Sequence, residues 1–215
     1  MIAKLSKAAY KSVFLCRSLS APDSKRQFEI REYFRMKLTE NKYGVPLIHQ
    51  LARIKHPNII AIEELIDEPE KNKTKVVVEY HPITLQQALK ETAFGFSDVQ
   101  ALTYFQQLIS AINYCKTEHS DIHLDIKLEN IKLIEAKKQI LVSEFRMSDM
   151  IQLKEGEESD ISDSFTKCRY MPPEMIDSPE SIDQDSIDVW LAGTLLYMFI
   201  TKEYPFAESI PKYIS

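Results

Sequence analysis

A chain of 215 residues with 44% hydrophobic and 27% charged side chains has the make-up of a folded globular protein large enough to bury a real core. Its 27 basic and 32 acidic residues leave a net charge of -5, and the Lys and Arg are scattered along the chain. That balance excludes a general nucleic-acid or anionic-membrane surface, because phosphate-rich partners need clustered cations.

In chain order, the N-terminal "MIAKLSKAAYK" has no apolar signal core. The runs "VFLCRSL", "RQFEIREYF" and "TKVVVEY" are rich in β-formers, and turn signals such as "SAPDSK" and "DEPEKNK" bound them. Between them, "PLIHQLARIKH" sets Leu47, Leu51 and Ile54 at helical spacing and stops before Pro57. The expectation for the first third is a small antiparallel sheet with one helix.

After Tyr80 the pattern turns helical. Ser97 and Gln100 form a capping-box signature ahead of "DVQALTYFQQLISAINYCK", in which Leu102, Phe105, Ile109 and Ile112 predict the buried stripe. Two short strands are expected around "KLIEAKKQILV", a mobile polar loop from Glu144 to Tyr170, and a core helix from Asp185 to Thr201, whose apolar run is too short to span a bilayer. Cys16, Cys115 and Cys168 show no C-x-x-C spacing, so neither zinc nor a disulfide framework is indicated, and reduced thiols in a cytoplasmic protein are the simplest reading. His49, His81 and His119 have no second ligand at metal spacing; His119 is placed to cap the preceding helix.

The stretch "DIHLDIKLENIKL" sets out His123-x-Asp125-x-Lys127-x-x-Asn130, a carboxylate, an ammonium and an amide at fixed offsets. With "KHPNII", "VVVEY", "YMPPEMI" and "DVWLAGTLLYMFITKEYPF" in the same order, the chain resembles a eukaryotic protein kinase domain of the Ser/Thr type over essentially its whole length. The resemblance implies an α+β, bilobal fold, with a β-rich lobe of one helix over residues 1–80 and a mainly helical lobe over 81–215. That second lobe is expected to stop before its last helices, which leaves Glu174 without its usual arginine.

The resemblance also implies roles. Asp125 corresponds to the base toward a substrate hydroxyl, Lys127 to the γ-phosphate contact, and Asn130 and Glu144 to the metal ligands. The nucleotide-facing set is Ser6, Ala8 and Lys11 at three glycine positions, Val13, Arg31 in place of the strand lysine, and Glu79 and Tyr80 at the hinge. Leu51, His123 and Phe145 match the spine between the lobes, and Asp188 matches the anchor of the catalytic loop.

Departures are concentrated where nucleotide and metal are handled. Side chains at 6, 8 and 11 obstruct close approach of the backbone to phosphates. "EFR", Glu144 to Arg146, stands at the D-F-G triplet with a longer carboxylate and an added cation. Leu124 replaces the arginine that reads a phosphorylated activation loop. Leu47 occupies the place of the acid that pairs with the strand cation, Glu40 is the nearest acid upstream, and Gly44 and Pro46 are expected to end its helix. On this reading Arg31 has no local partner.

Three functions remain open. One is a catalytically impaired pseudokinase acting by protein binding or allosteric scaffolding. The second is an active Ser/Thr kinase that uses ATP and Mg²⁺ on a protein substrate. The third is a non-functional truncated copy. The incomplete large lobe adds association with another chain to the expected partners.

Overall fold

The computed structural model describes residues 3–7, 11–18, 26–34, 44–119, 124–145, 170, 172 and 184–205. Five strands form one antiparallel sheet: β1 Ala3–Lys7, β2 Lys11–Cys16, β3 Phe28–Phe34, β4 Ile62–Glu68 and β5 Lys73–Glu79, in the spatial order β1-β2-β3-β5-β4. The expected runs account for β2, β3 and β5. Sequence patterning missed β1 and β4, since "AKLSK" has no strong β-former and more than half of "IEELIDE" is acidic.

Alternation puts one row of each strand on the same face of this sheet. Val13 lies opposite Arg31, Lys11 opposite Tyr33 and Leu15 opposite Glu29. On the other side of β3, Arg31 faces Val76 and Glu29 faces Val78. The inner face is therefore apolar at Val13, Tyr33, Val76 and Val78, all buried, with charged residues between them.

Helix α1 covers Gly44–Leu51, so its described part begins at one of the two residues expected to separate Leu47 from Glu40. Gly44 opens the helix and Pro46 sits in its first turn, where a missing N–H costs no intrahelical bond. Glu40 lies outside the described residues. Ile48 and Leu51 are buried against the sheet.

The helical lobe begins with α2, Leu85–Glu91, and α3, Asp98–Glu118. Both start with capping boxes, Thr84 with Gln87 and Ser97 with Gln100; only the second was expected. His119 closes α3 by donating its backbone N–H to the Cys115 carbonyl, 2.9 Å away. Strands β6, Ile131–Ile134, and β7, Gln139–Val142, form a separate hairpin, and α4 covers Gln184–Thr201.

The buried stripe of α3 differs from the expected one. Ala101, Tyr104, Leu108, Ala111 and Cys115 are buried, whereas Leu102 and Ile109 are 56% and 39% exposed. Phe105 and Ile112 flank the core. The small residues Ala101 and Ala111 belong to the contact face, which hydrophobicity alone ranks too low. Against this face Phe96, Tyr104 and Phe199 stack edge to face, with centroids 5.2, 5.7 and 6.5 Å apart. Gly95, at φ 99°, brings the Phe96 N–H to the Phe199 carbonyl at 2.7 Å.

The lobes are tied by backbone bonds. Ile60 donates to the Val142 carbonyl and Val142 to that of Asn58, each at 2.9 Å. The Asn58 amide donates to Gln107 of α3 at 2.8 Å and to the Ile140 carbonyl at 3.0 Å. "KHPNII" is thus the seam between sheet, hairpin and helix. Among the described residues no helix is long and apolar enough to cross a membrane.

Candidate functional site

Beneath the inner face of the sheet lie the ends of β6 and β7 and the loop before them. That loop is fixed by its own polar groups. The Asn130 side-chain amide donates to Asp125 Oδ2 at 2.7 Å and to the Asp125 carbonyl at 3.2 Å, while Lys127 Nζ stands 3.2 Å from Asp125 Oδ2. The Ser143 N–H and hydroxyl both donate to the Asn130 carbonyl, at 2.8 and 2.7 Å. The Asp125 N–H donates to the Glu144 carbonyl at 3.1 Å, and Leu124 pairs with Phe145 in a β-bridge. The structure therefore brings together Asp125, Lys127, Asn130 and Glu144, as the family resemblance implies.

Leu124 is 1% exposed and joins Phe145 and Leu51 in the core, so this position packs. His123, Ala8, Arg146, Glu174, Cys168 and the polar loop over 146–169 lie outside the described residues. Asp188 is half-buried, and its charge helps hold the Cys115 thiol neutral; burial is the larger cause, and together they push that thiol up to about 12.

The expected isolation of Arg31 is overturned. Its Nε–H donates to Glu29 Oε1 at 2.7 Å, and the two side chains are 4% and 10% exposed. Glu29 is two residues before Arg31 on β3, hence on the same face, so the strand itself supplies the acid that α1 lacks. An acid at i-2 from a strand cation is the sequence signal that would have found it. The guanidinium also donates Nη1–H to the Ser143 carbonyl at 2.5 Å and lies 3.6 Å from Glu144 Oε1.

Glu144 has a second cation. Lys11 Nζ, reaching from β2, is 3.0 Å from Glu144 Oε1, and its ammonium also sits over the Tyr33 ring at 6.0 Å. Burial opposes the charge on each group, but mutual attraction wins. Lys11 and Arg31 are raised above their ordinary values by Glu144, and the Glu144 carboxyl, which burial alone would raise, is held below its ordinary value by Arg31 and Lys11. A divalent ion at Glu144 would have to displace two cations from that carboxylate.

Lys132 on β6 was not a sequence-derived candidate. Burial lowers its ammonium, and the charges of Glu29, Arg31, Glu144 and Lys11 all act on it. No hydrogen bond or ion pair among the described residues engages it. Five charged groups, three cationic and two anionic, thus face one another between sheet and hairpin.

Val13 is buried opposite Arg31, but Ser6 is exposed on β1. Glu79 is engaged at the surface by Arg26 at 2.9 Å, and the Tyr80 N–H donates to the Gln27 carbonyl at 2.9 Å. No group of three His, Cys, Asp or Glu suited to a metal ion occurs among the described residues.

Residues 32–214 match the family described as "Protein kinase domain"; the match begins immediately after Arg31. The chain is 31% identical over 174 residues to CBL-interacting protein kinase 24 of Oryza sativa, covering 75% of this chain and 36% of that protein. It is 32% identical over 178 residues to serine/threonine-protein kinase CHK1 of Saccharomyces cerevisiae, covering 80% and 32%. It is 33% identical over 162 residues to sperm motility kinase 2A of Mus musculus, covering 73% and 30%. The chain spans about a third of the length of these relatives. With a β-sheet lobe, a helical lobe and the Asp125–Asn130 loop between them, the chain belongs to the protein kinase family.

Proposed function

We propose that this chain is a catalytically impaired member of its family, a pseudokinase acting by protein binding or scaffolding. The carrying observation is the state of Glu144. The carboxylate at the metal-ligand position is already neutralised by Lys11 at 3.0 Å and Arg31 at 3.6 Å. Phosphoryl transfer depends on metal and cations placed around the phosphates, so a site whose charges satisfy one another has little to offer an incoming triphosphate. Glu29 and Lys132 add charge where the family's nucleotide is held, and the residues present do not fit ATP with Mg²⁺.

Protein partners suit this reading. One of the similar kinases carries a name that denotes interaction with CBL, and a kinase-fold surface without transfer chemistry acts by what it holds. We place the protein in the cytoplasm, a setting that suits the buried free thiols Cys16 and Cys115.

The second reading, an active Ser/Thr kinase using ATP and Mg²⁺ on a protein substrate, is favoured by the ordered Asp125, Lys127 and Asn130 contacts. Phosphate incorporation from labelled ATP into a generic protein acceptor separates the two. Background incorporation that Asp125→Asn leaves unchanged supports the pseudokinase; metal-dependent incorporation abolished by Asp125→Asn establishes the kinase instead.

A further inference from the structure

We propose that the cleft between the two lobes is closed by its own side chains: Lys11 and Arg31 of the sheet clasp Glu144 of the helical lobe, in place of a bound metal and nucleotide. The inference deepens the pseudokinase reading by giving the protein a closed shape that needs no ligand.

The geometry is that of a cross-lobe staple. Lys11 and Arg31 lie on adjacent strands and Glu144 follows β7, 133 and 113 residues away in sequence from Lys11 and Arg31. Both cations converge on the same oxygen, Oε1, at 3.0 and 3.6 Å. Arg31 adds a bond to the Ser143 carbonyl at 2.5 Å, so it holds backbone as well as side chain. Glu29, at 2.7 Å, then fixes the guanidinium from behind.

Such a staple is strong only where water is limited, and Arg31 is 3% exposed. Its acceptor segment is rigid in turn. Ser143 is bonded twice to Asn130, and the Glu144 carbonyl accepts from Asp125, so the clasp seats on the same loop that orders Asp125 and Lys127. Lys11 is thereby matched by Glu144, and Arg31 by Glu29 and Glu144 together.

Lys132 and Glu29 add charge to the same space. A purine is flat and apolar on both faces, whereas the space between sheet and hairpin holds a carboxylate on β3 and an ammonium on β6 whose charges act on each other. Desolvating either against an aromatic ring without compensation is unfavourable.

Hydrogen exchange of the full chain, read segment by segment with and without ATP, tests the clasp. Lys11→Met is expected to raise exchange about tenfold or more in both 11–16 and 142–145 while α3 keeps its protection. Glu144→Gln should give the same pattern, and the double variant should be little worse than either single one. Should Lys11→Met lose protection in α3 as well, Glu144→Asp, which keeps the charge and shortens the reach, takes its place with the same local pattern expected. Exchange unchanged by the variants, or changed only on the mutated strand, overturns the clasp. So does added protection of 11–16 and 142–145 in the parent on addition of ATP with Mg²⁺; no response to ATP with Mg²⁺ or with EDTA supports it. These outcomes are read apart from the labelled-phosphate assay, so a failed clasp and a failed pseudokinase reading give different records.

Discussion

Glu29→Gln removes one charge from the buried pair and almost nothing else. The amide keeps the shape and still accepts the Arg31 Nε–H now held at 2.7 Å, but the guanidinium loses its close counter-ion. Breaking a fully buried pair costs about 3–5 kcal/mol. Here Arg31 retains the Ser143 carbonyl at 2.5 Å and Glu144 at 3.6 Å, and the difference between a charge-assisted and a neutral hydrogen bond is about 1–1.5 kcal/mol. We therefore expect a loss of about 2 kcal/mol. In a chain of this size that lowers the thermal midpoint by about 4–8 °C. Circular dichroism melts of the parent, Glu29→Gln, Arg31→Met and the pair Glu29→Met with Arg31→Met measure it. Replacing both ions by apolar side chains should recover most of the loss, since neither is then left alone. A Glu29→Gln midpoint within about one degree of the parent, or single losses that simply add in the double variant, would refute the pairing as a source of stability.

Three further outcomes follow from the same chemistry. Glu144 titrates below its ordinary value in the fold, so the stability it supplies is complete above the unfolded value of 4.5 and drains as pH falls through the folded one; Glu68, hydrogen-bonded by Lys71 and Lys75 and held down to about 2, loses its share between 4.5 and about 2. Urea midpoints taken from pH 7 to pH 3 should fall more gently for Glu144→Gln than for the parent. Gly95→Ala should cost about 2 kcal/mol or more, because its φ is 99° and the new methyl meets the Ile200 and Phe199 carbonyls, while Gly193→Ala, in open helix, should gain up to about 1 kcal/mol; paired melts give both signs. Lys132→Met, which removes an ammonium that burial disfavours, should raise the thermal midpoint by about 2–4 °C.

Much of this architecture can be read in the sequence, and the exceptions have physical causes. Strong β-formers mark β2, β3 and β5, and the Ser97 box marks the start of α3. β4 escapes because its outward row is acidic, a pattern that hydrophobic periodicity cannot separate from a loop. The face of α3 was read one position off because Ala101 and Ala111 contribute closeness, not hydrophobicity. At the site, loop spacing groups Asp125, Lys127 and Asn130, and only the family resemblance adds Glu144. The partner of Arg31 was sought on α1, where the family carries it, while the period of two along β3 already placed Glu29 on the correct side. Lys132 was invisible because nothing in one strand's sequence says which charges another strand will bring to meet it.

The inner face of the sheet sets Lys11 and Arg31 on alternate rungs of the β2–β3 ladder, since Lys11 lies across from Tyr33 and Val13 across from Arg31, with Ser12 and Glu32 between. The hydrogen-bond register is therefore a ruler for the electrostatics. Inserting a single neutral residue between Ser12 and Val13 leaves the net charge as it is, yet in the slipped ladder Lys11 faces away from the cleft and Ser12 toward it. Length changes in the segment joining β2 to β3 leave the ruler intact, whereas a change of one residue inside either strand exchanges an inward cation for an outward one.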